Sequence, residues 1–241
     1  MGIEDEKTRA VKAVKRNVTE VQTRKVNAVK RKPAAVDPWS SFLALQQADV
    51  LRRGALVNEA GEKDEGWVFR EPLDKTDLVW FAWRAEAAMS TLGRWMGHRG
   101  ACFDVMIGRE CLAVLDLQPL RRNRDASARL RSVDGRTLAT LELDARFESV
   151  HCLVEARQVL WLEQRHPAEA SFLVGKRSIG KLHRRPQPGI LITTYELELR
   201  LEKQATGFER LCAAAMIVFQ DGWRLAPREP RDRDGGWSFE L

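Results

Sequence analysis

The sequence predicts a mainly β protein (α+β): an antiparallel meander closed into a barrel around a buried hydrophobic C-terminal helix, preceded by a basic helical tail. Three observations lead there. From about Cys102 onward, short apolar runs are broken repeatedly by tight, polar turns. Tyr195-Glu-Leu-Glu-Leu-Arg-Leu201 alternates strictly, as a strand with one buried face must. Directly after it, Gly207-Phe-Glu-Arg-Leu-Cys-Ala-Ala-Ala-Met-Ile-Val-Phe-Gln-Asp-Gly-Trp223 is apolar on every side of a helix through its middle. That run falls short of the ~20 residues a helix needs to span a bilayer, so it must be buried in protein. A meander this long closes or stacks, because free strand edges aggregate. A closed sheet would satisfy every face of the helix at once, and three successive alanines let its backbone approach the wall.

The tail comes first in the chain. Residues 1–32 hold ten lysines and arginines and four acids, an excess equal to the net charge of +6, so the remainder is neutral. Arg9-Ala-Val-Lys-Ala-Val-Lys-Arg16 recurs as Arg24-Lys-Val-Asn-Ala-Val-Lys-Arg31, and Val11, Val14, Val18 and Val21 form a narrow stripe at helical spacing. Valine is a mediocre helix former, so two readings stand: a solvated, frayed tail, or a helix that orders on an acidic partner, an anionic membrane or nucleic acid. The segment divides the chain into a tail (1–36), a barrel with its helix near 207–220 (37–226) and a polar C-terminal tail (227–241).

Within the barrel region, Pro33 to Pro38 resists helix, and Asp37-Pro38 suits an N-cap and first turn for a short element through Phe42, Leu43 and Leu45. Residues 61–66 read as a loop, Leu78–Trp83 as a buried strand, and 85–97 stay ambiguous. Asp134-Gly135 is the strongest hairpin signal, because a type I′ turn needs positive φ at both central positions. Trp80, Trp83 and Trp161 lie in apolar strand runs and are read as core.

Catalytic signatures are not what this sequence offers. His98, His151, His166 and His183 have no paired metal-ligand spacing, and the glycines sit in hairpins rather than between a strand and a helix. Cys102, Cys111, Cys152 and Cys212 lie far apart with no CxxC pair, which predicts free thiols and a cytoplasmic protein. No metal, cofactor, transmembrane span or enzymatic activity is expected. The basic clusters Arg52-Arg53, Arg121-Arg122-Asn-Arg124 and Lys181-Leu-His-Arg-Arg185 read as solvated loops or as an anion site, since guanidinium forks match phosphate geometry.

Read in order, these elements resemble the phospholipid scramblase, LURP-one-related and tubby C-terminal group, from roughly Trp39 to Trp223. "PWSSFLALQQADVLRRG" looks like the family's opening segment. "FDVMIGRECLAVL", "RLRSVDGRTLATLEL" and "CLVEARQVLWLEQR" are similar to its hairpins. "SFLVGKRSIGKLHRR" resembles a late strand pair with a glycine, here Gly180, after an aliphatic residue. "YELELRLEKQATGFERLCAAAMIVFQD" resembles its last strand and helix. The resemblance implies about twelve strands and a non-enzymatic module that binds anionic phospholipid at a membrane surface. Between Gly189 and Gly207 there are three glutamates and no aspartate, so no calcium loop is read there. The resemblance suggests Lys181, Arg184 and Arg185 of the body as lipid or anion contacts, and the charge of the tail adds Lys12, Lys15, Arg16, Arg24, Lys25, Lys30, Arg31 and Lys32. The alternative is an adaptor whose valine-striped helix docks on an acidic protein partner; nucleic acid ranks below both.

Overall fold

The structure is a computed structural model, and it describes residues 39–57, 63–84, 100–122, 124–187 and 194–226, all in the unit that begins at Pro38. The tail and its repeat, the Asp37-Pro38 cap, the ambiguous segment 85–97 and the C-terminal tail lie outside those residues. A 3-10 turn, Ser40–Ala44, opens the described chain, with Trp39 at its N-cap and Phe42 buried beneath it.

Twelve strands follow. They are β1 (Gln47–Val57), β2 (Lys63–Arg70), β3 (Asp77–Trp83), β4 (Ala101–Ile107), β5 (Glu110–Leu117) and β6 (Ala126–Ser132). The second half is β7 (Thr137–Asp144), β8 (Ser149–Val154), β9 (Arg157–His166), β10 (Glu169–Val174), β11 (Arg177–Gln187) and β12 (Thr194–Leu201). Each pairs antiparallel with its neighbour, and β1 pairs with β12 through Gln47↔Arg200 and Val50↔Leu197, so the sheet closes into a barrel with no free edge. Helix α1 (Gly207–Leu225) completes the chain. No helix among the described residues is long and apolar enough to cross a membrane.

Strand parity decides what is buried. On β12, Leu197, Leu199 and Leu201 point to the core, as their alternation requires. On β3, Val79 and Phe81 are buried while Trp80 between them faces outward; on β9, Leu160 and Leu162 are buried and Trp161 faces outward onto His151, with which it stacks at 5.6 Å. Neither tryptophan is core, contrary to the sequence reading, because a barrel strand buries one face only. Trp83 packs half-buried against the core, and the fully buried indole is Trp67, edge-on to Phe103 at 5.4 Å.

The turns bring a second correction. Asp134-Gly135 is not a type I′ turn: only Gly135 has positive φ (88°), Gly135 N donates to Ser132 O, and Ser132 N donates to Arg136 O. That makes a three-residue loop ending in a left-handed glycine, with the register slipping between Leu130 and Arg131. The Asp134 carboxylate receives the Ser132 hydroxyl and the Arg136 amide, which favours this form. The two-residue turn with positive φ at both centres is instead Glu155-Ala156 (49° and 62°), between Val154 and Arg157.

Helix α1 starts on a capping box. Thr206 Oγ1 accepts from Glu209 N (3.2 Å) and Thr206 N donates to Glu209 Oε2 (2.7 Å). Gly207 leaves no room for a Cβ, which would strike the Trp39 carbonyl. Every residue from Arg210 to Gln220 is buried, and the apolar ones share a single hydrophobic cluster with the inward side chains of the strands. A cluster of this kind, dominated by Leu, Phe and Val side chains removed from water, supplies most of the favourable folding free energy.

Candidate functional site

The outward face of β10, β11 and β12 gathers the densest set of charges around a sequence-predicted cluster. Because side chains alternate, Lys181, His183 and Arg185 of β11 stand on the outer face, beside Glu198 and Arg200 of β12 and Glu169 of β10. His166, at the end of β9, lies across from Glu169. Together with Ala168 and Arg184, most of these residues line a polar cleft of about 320 Å³.

Its cations are matched by carboxylates. Lys181 Nζ lies 2.7 Å from Glu169 Oε1. Glu198 receives Arg185 Nη2 and Arg200 Nε, each at 2.6 Å, and Gln47 Nε2 at 3.2 Å. The Arg200 guanidinium, followed by the charges of Arg200, Arg185 and His183, holds the Glu198 carboxyl below the usual glutamate range although burial opposes it. Lys181 does the same for Glu169. The glutamate side of the Arg185–Glu198 pair is only 10 % exposed while its arginine is 66 % exposed, so the acid is fixed and the guanidinium reaches toward water from it.

Arg184 has the opposite parity. It is 4 % exposed; its Nη1 donates to Gln164 Oε1 (2.7 Å) and its Nη2 to Gln220 Oε1 of α1. Gln220 in turn donates to the Glu148 carbonyl, and Arg224 Nη2 reaches Glu148 Oε2 and Gln164 Oε1. At the same end, Trp67 Nε1 donates to Asp221 Oδ2 (2.7 Å) and Trp223 Nε1 to Arg124 O (2.9 Å). This polar layer ties the C-terminal turns of the helix to three strands and two loops. At the opposite end one buried cation does the work: Arg210 donates to the carbonyls of Ala205 (2.9 Å), Leu45 (2.6 Å), Glu202 (2.8 Å) and Lys203 (3.1 Å). Burial pushes its guanidinium down from the ordinary arginine value, but four carbonyl dipoles replace its water.

The sequence-predicted contacts are therefore separated by the structure. Lys181 and Arg185 share the outer face; Arg184 is a buried structural group and not a surface contact, because a strand sends neighbouring residues to opposite sides. The segment is strand rather than loop. Lys12, Lys15, Arg16, Arg24, Lys25, Lys30, Arg31 and Lys32 lie outside the described residues. Of the other clusters, Arg52 is exposed on β1, and Arg121, Arg122 and Arg124 occupy the β5–β6 connection. Glu169, Glu198 and Arg200, which set the electrostatics of the face, were not singled out from the sequence as its partners. The alternation of β12, with Glu198 and Arg200 both on its polar side, was the signal available. Thr206-Gly-Phe-Glu209 likewise announces the capping box in the sequence, and Arg210 announces nothing.

Two further features narrow the chemistry. Burial, then a hydrogen bond to Asp116, pushes the Cys102 thiol up to about 12, and burial also raises Cys111. Cys212 is raised by its hydrogen bond with Cys152 inside the core. Thiols held protonated are poor nucleophiles. Among the described residues no three His, Cys, Asp or Glu side chains gather as metal ligands. A larger cleft of about 850 Å³ runs along β7 and β8 beside Trp39 and Phe208, lined mainly by aliphatic and threonine side chains with Arg136, Glu142 and Glu155 spread along it. No family model, curated protein or solved structure matches this chain.

Proposed function

We propose that this protein is a non-enzymatic binding module of the scramblase and tubby kind, a barrel closed around its helix that works at an anionic phospholipid surface. The observation that carries the reading is the segregation of charge: the whole excess of +6 sits in residues 1–32, while Lys181, Arg185 and Arg200 on the barrel are matched by Glu169 and Glu198. A basic segment next to a neutral body suits a peripheral tether, since each lysine or arginine near an acidic leaflet contributes ~1 kcal/mol. The helix supports a surface role too. Its buried residues occupy the space that a ligand inside the barrel would need.

The test changes Lys12, Lys15, Lys25, Lys30 and Lys32 together to glutamine in the full chain and measures co-sedimentation with phosphatidylserine-containing vesicles. The reading expects binding to fall by orders of magnitude. Undiminished binding would remove the tether from the account.

A further inference from the structure

We infer that two adjoining loops at the end of the barrel where α1 finishes, formed by residues 120–122 with 124–125 and by residues 145–148, make a docking tip for an anionic bilayer surface, with Phe147 as its apolar contact. The inference rests on the membrane reading above and assigns it a place on the folded body.

Four arginines surround the tip: Arg121, Arg122 and Arg124 from the β5–β6 connection and Arg146 from the β7–β8 turn. Phe147 stands among them at 59 % exposure, far more than an aromatic ring in water ordinarily shows. The Arg146 guanidinium lies over the ring, 5.1 Å from its centroid. The loops are held firmly from below. Leu120 is fully buried, Arg124 N donates to Arg121 O (3.1 Å), and Arg124 O receives the Trp223 indole. The two loops are also bolted together, since Ala145 N donates to Asp125 Oδ1 (2.8 Å).

The nearby carboxylates are engaged by groups of these loops and of the helix. Asp144 Oδ1 accepts from the amides of Arg146 (2.8 Å) and Phe147 (3.2 Å), Asp125 accepts from Ala145, and Glu148 pairs with Arg224. Four arginines with Arg224 thus outnumber Asp125, Glu142, Asp144 and Glu148 by one. Asp125 and Asp144 also border a cleft on the flank with Glu142 and His151, so the arginine-bearing loop ends and not the acidic side wall are the face an anionic surface would meet. Guanidinium forks match phosphate diesters, and a ring whose edge is exposed can enter the headgroup layer. A nucleic-acid base needs a ring face for stacking, and one face of Phe147 is already covered by Arg146.

The experiment uses the full chain on vesicles of equal phosphatidylserine and phosphatidylcholine. Co-sedimentation is combined with hydrogen exchange of the bound protein. The expected result is slowed exchange in residues 120–126 and 144–148. Arg122→Gln with Arg146→Gln should weaken partition about twentyfold, and Phe147→Ser about tenfold. Arg157→Gln, at the opposite end of the barrel, should bind like the wild type. Wild-type binding with both tip variants unchanged, or with protection confined elsewhere, overturns the placement and leaves the membrane reading intact. No sedimentation of the wild type overturns both. Protection of these loops by a single-stranded oligonucleotide and not by vesicles would overturn the ligand class.

Discussion

Two basic segments that look alike in the sequence end up in different physical situations. Lys181-Leu-His-Arg-Arg185 runs along a central stretch of β11, where neighbouring strands supply a carboxylate for each outward cation and the core takes Arg184 inward. Arg121-Arg122-Asn-Arg124 crosses between strands, and the carboxylates nearest to it receive backbone amides. In a sheet, cross-strand pairing neutralises charge in place. In this loop, acids are recruited to close turns, Arg122 and Arg124 are exposed, and Arg121 turns back half-buried onto the Leu120 carbonyl. The comparison teaches that a run of basic residues says little about available charge until its strand parity and its neighbours are known.

The sharpest way to break this comparison is to remove one arginine from each segment. Arg184→Ala leaves Gln220 Oε1 without its partner inside the barrel and Gln164 Oε1 with Arg224 alone, and should cost about 2–3 kcal/mol in chemical denaturation. Arg122→Ala, on an exposed loop, should stay within about 0.5 kcal/mol of the wild type. Equal costs at the two sites would mean that the inward placement of Arg184 contributes nothing. Next in size is Glu198→Gln. It should destabilise by about 1–2 kcal/mol, because one acid serves two arginines, and it should strengthen vesicle binding by releasing them.

Acid sharpens the same point. The carboxyls of Glu198 and Glu169 titrate below the ordinary value of 4.5, so their contribution to stability is complete above that value. It is lost as pH falls through the lowered folded values. A thermal melt series should therefore be flat with respect to these two groups above 4.5 and fall below it, and Glu198→Gln should flatten that fall. A further, modest effect is expected at a turn at the opposite end of the barrel from the arginine tip. Glu155→Asn with Ala156→Gly places residues that tolerate positive φ where the chain already has it, and should raise stability by about 1 kcal/mol while leaving vesicle binding unchanged.

The fold was legible where one signal dominated. The leucines of β12 announced their face by strict alternation, and the run from Leu211 to Phe219 could only be buried. What escaped depends on side-chain hydrogen bonds within a turn, on the pleat, or on a partner in another strand. Asp134-Gly135 carries the propensity for a type I′ turn, yet the Ser132 hydroxyl and the Arg136 amide hold Asp134 in a longer loop. Glu155-Ala156 makes the tight turn because strands β8 and β9 impose it, with no propensity of its own to reveal it. Trp80 and Trp161 sit in apolar runs that the pleat splits between two faces. Of the three body residues proposed for lipid, parity moved Arg184 into the core, and the partners of the other two lie 12 and 13 residues away on separate strands.

The account stands or falls first on whether the protein recognises anionic surfaces at all. Co-sedimentation of the full chain with neutral and with phosphatidylserine-containing vesicles, across a salt series, asks this directly. The account predicts binding to the anionic vesicles alone, weakening steeply as salt screens the tail and the arginine tip. Equal binding to both vesicles, or binding indifferent to salt, would contradict it.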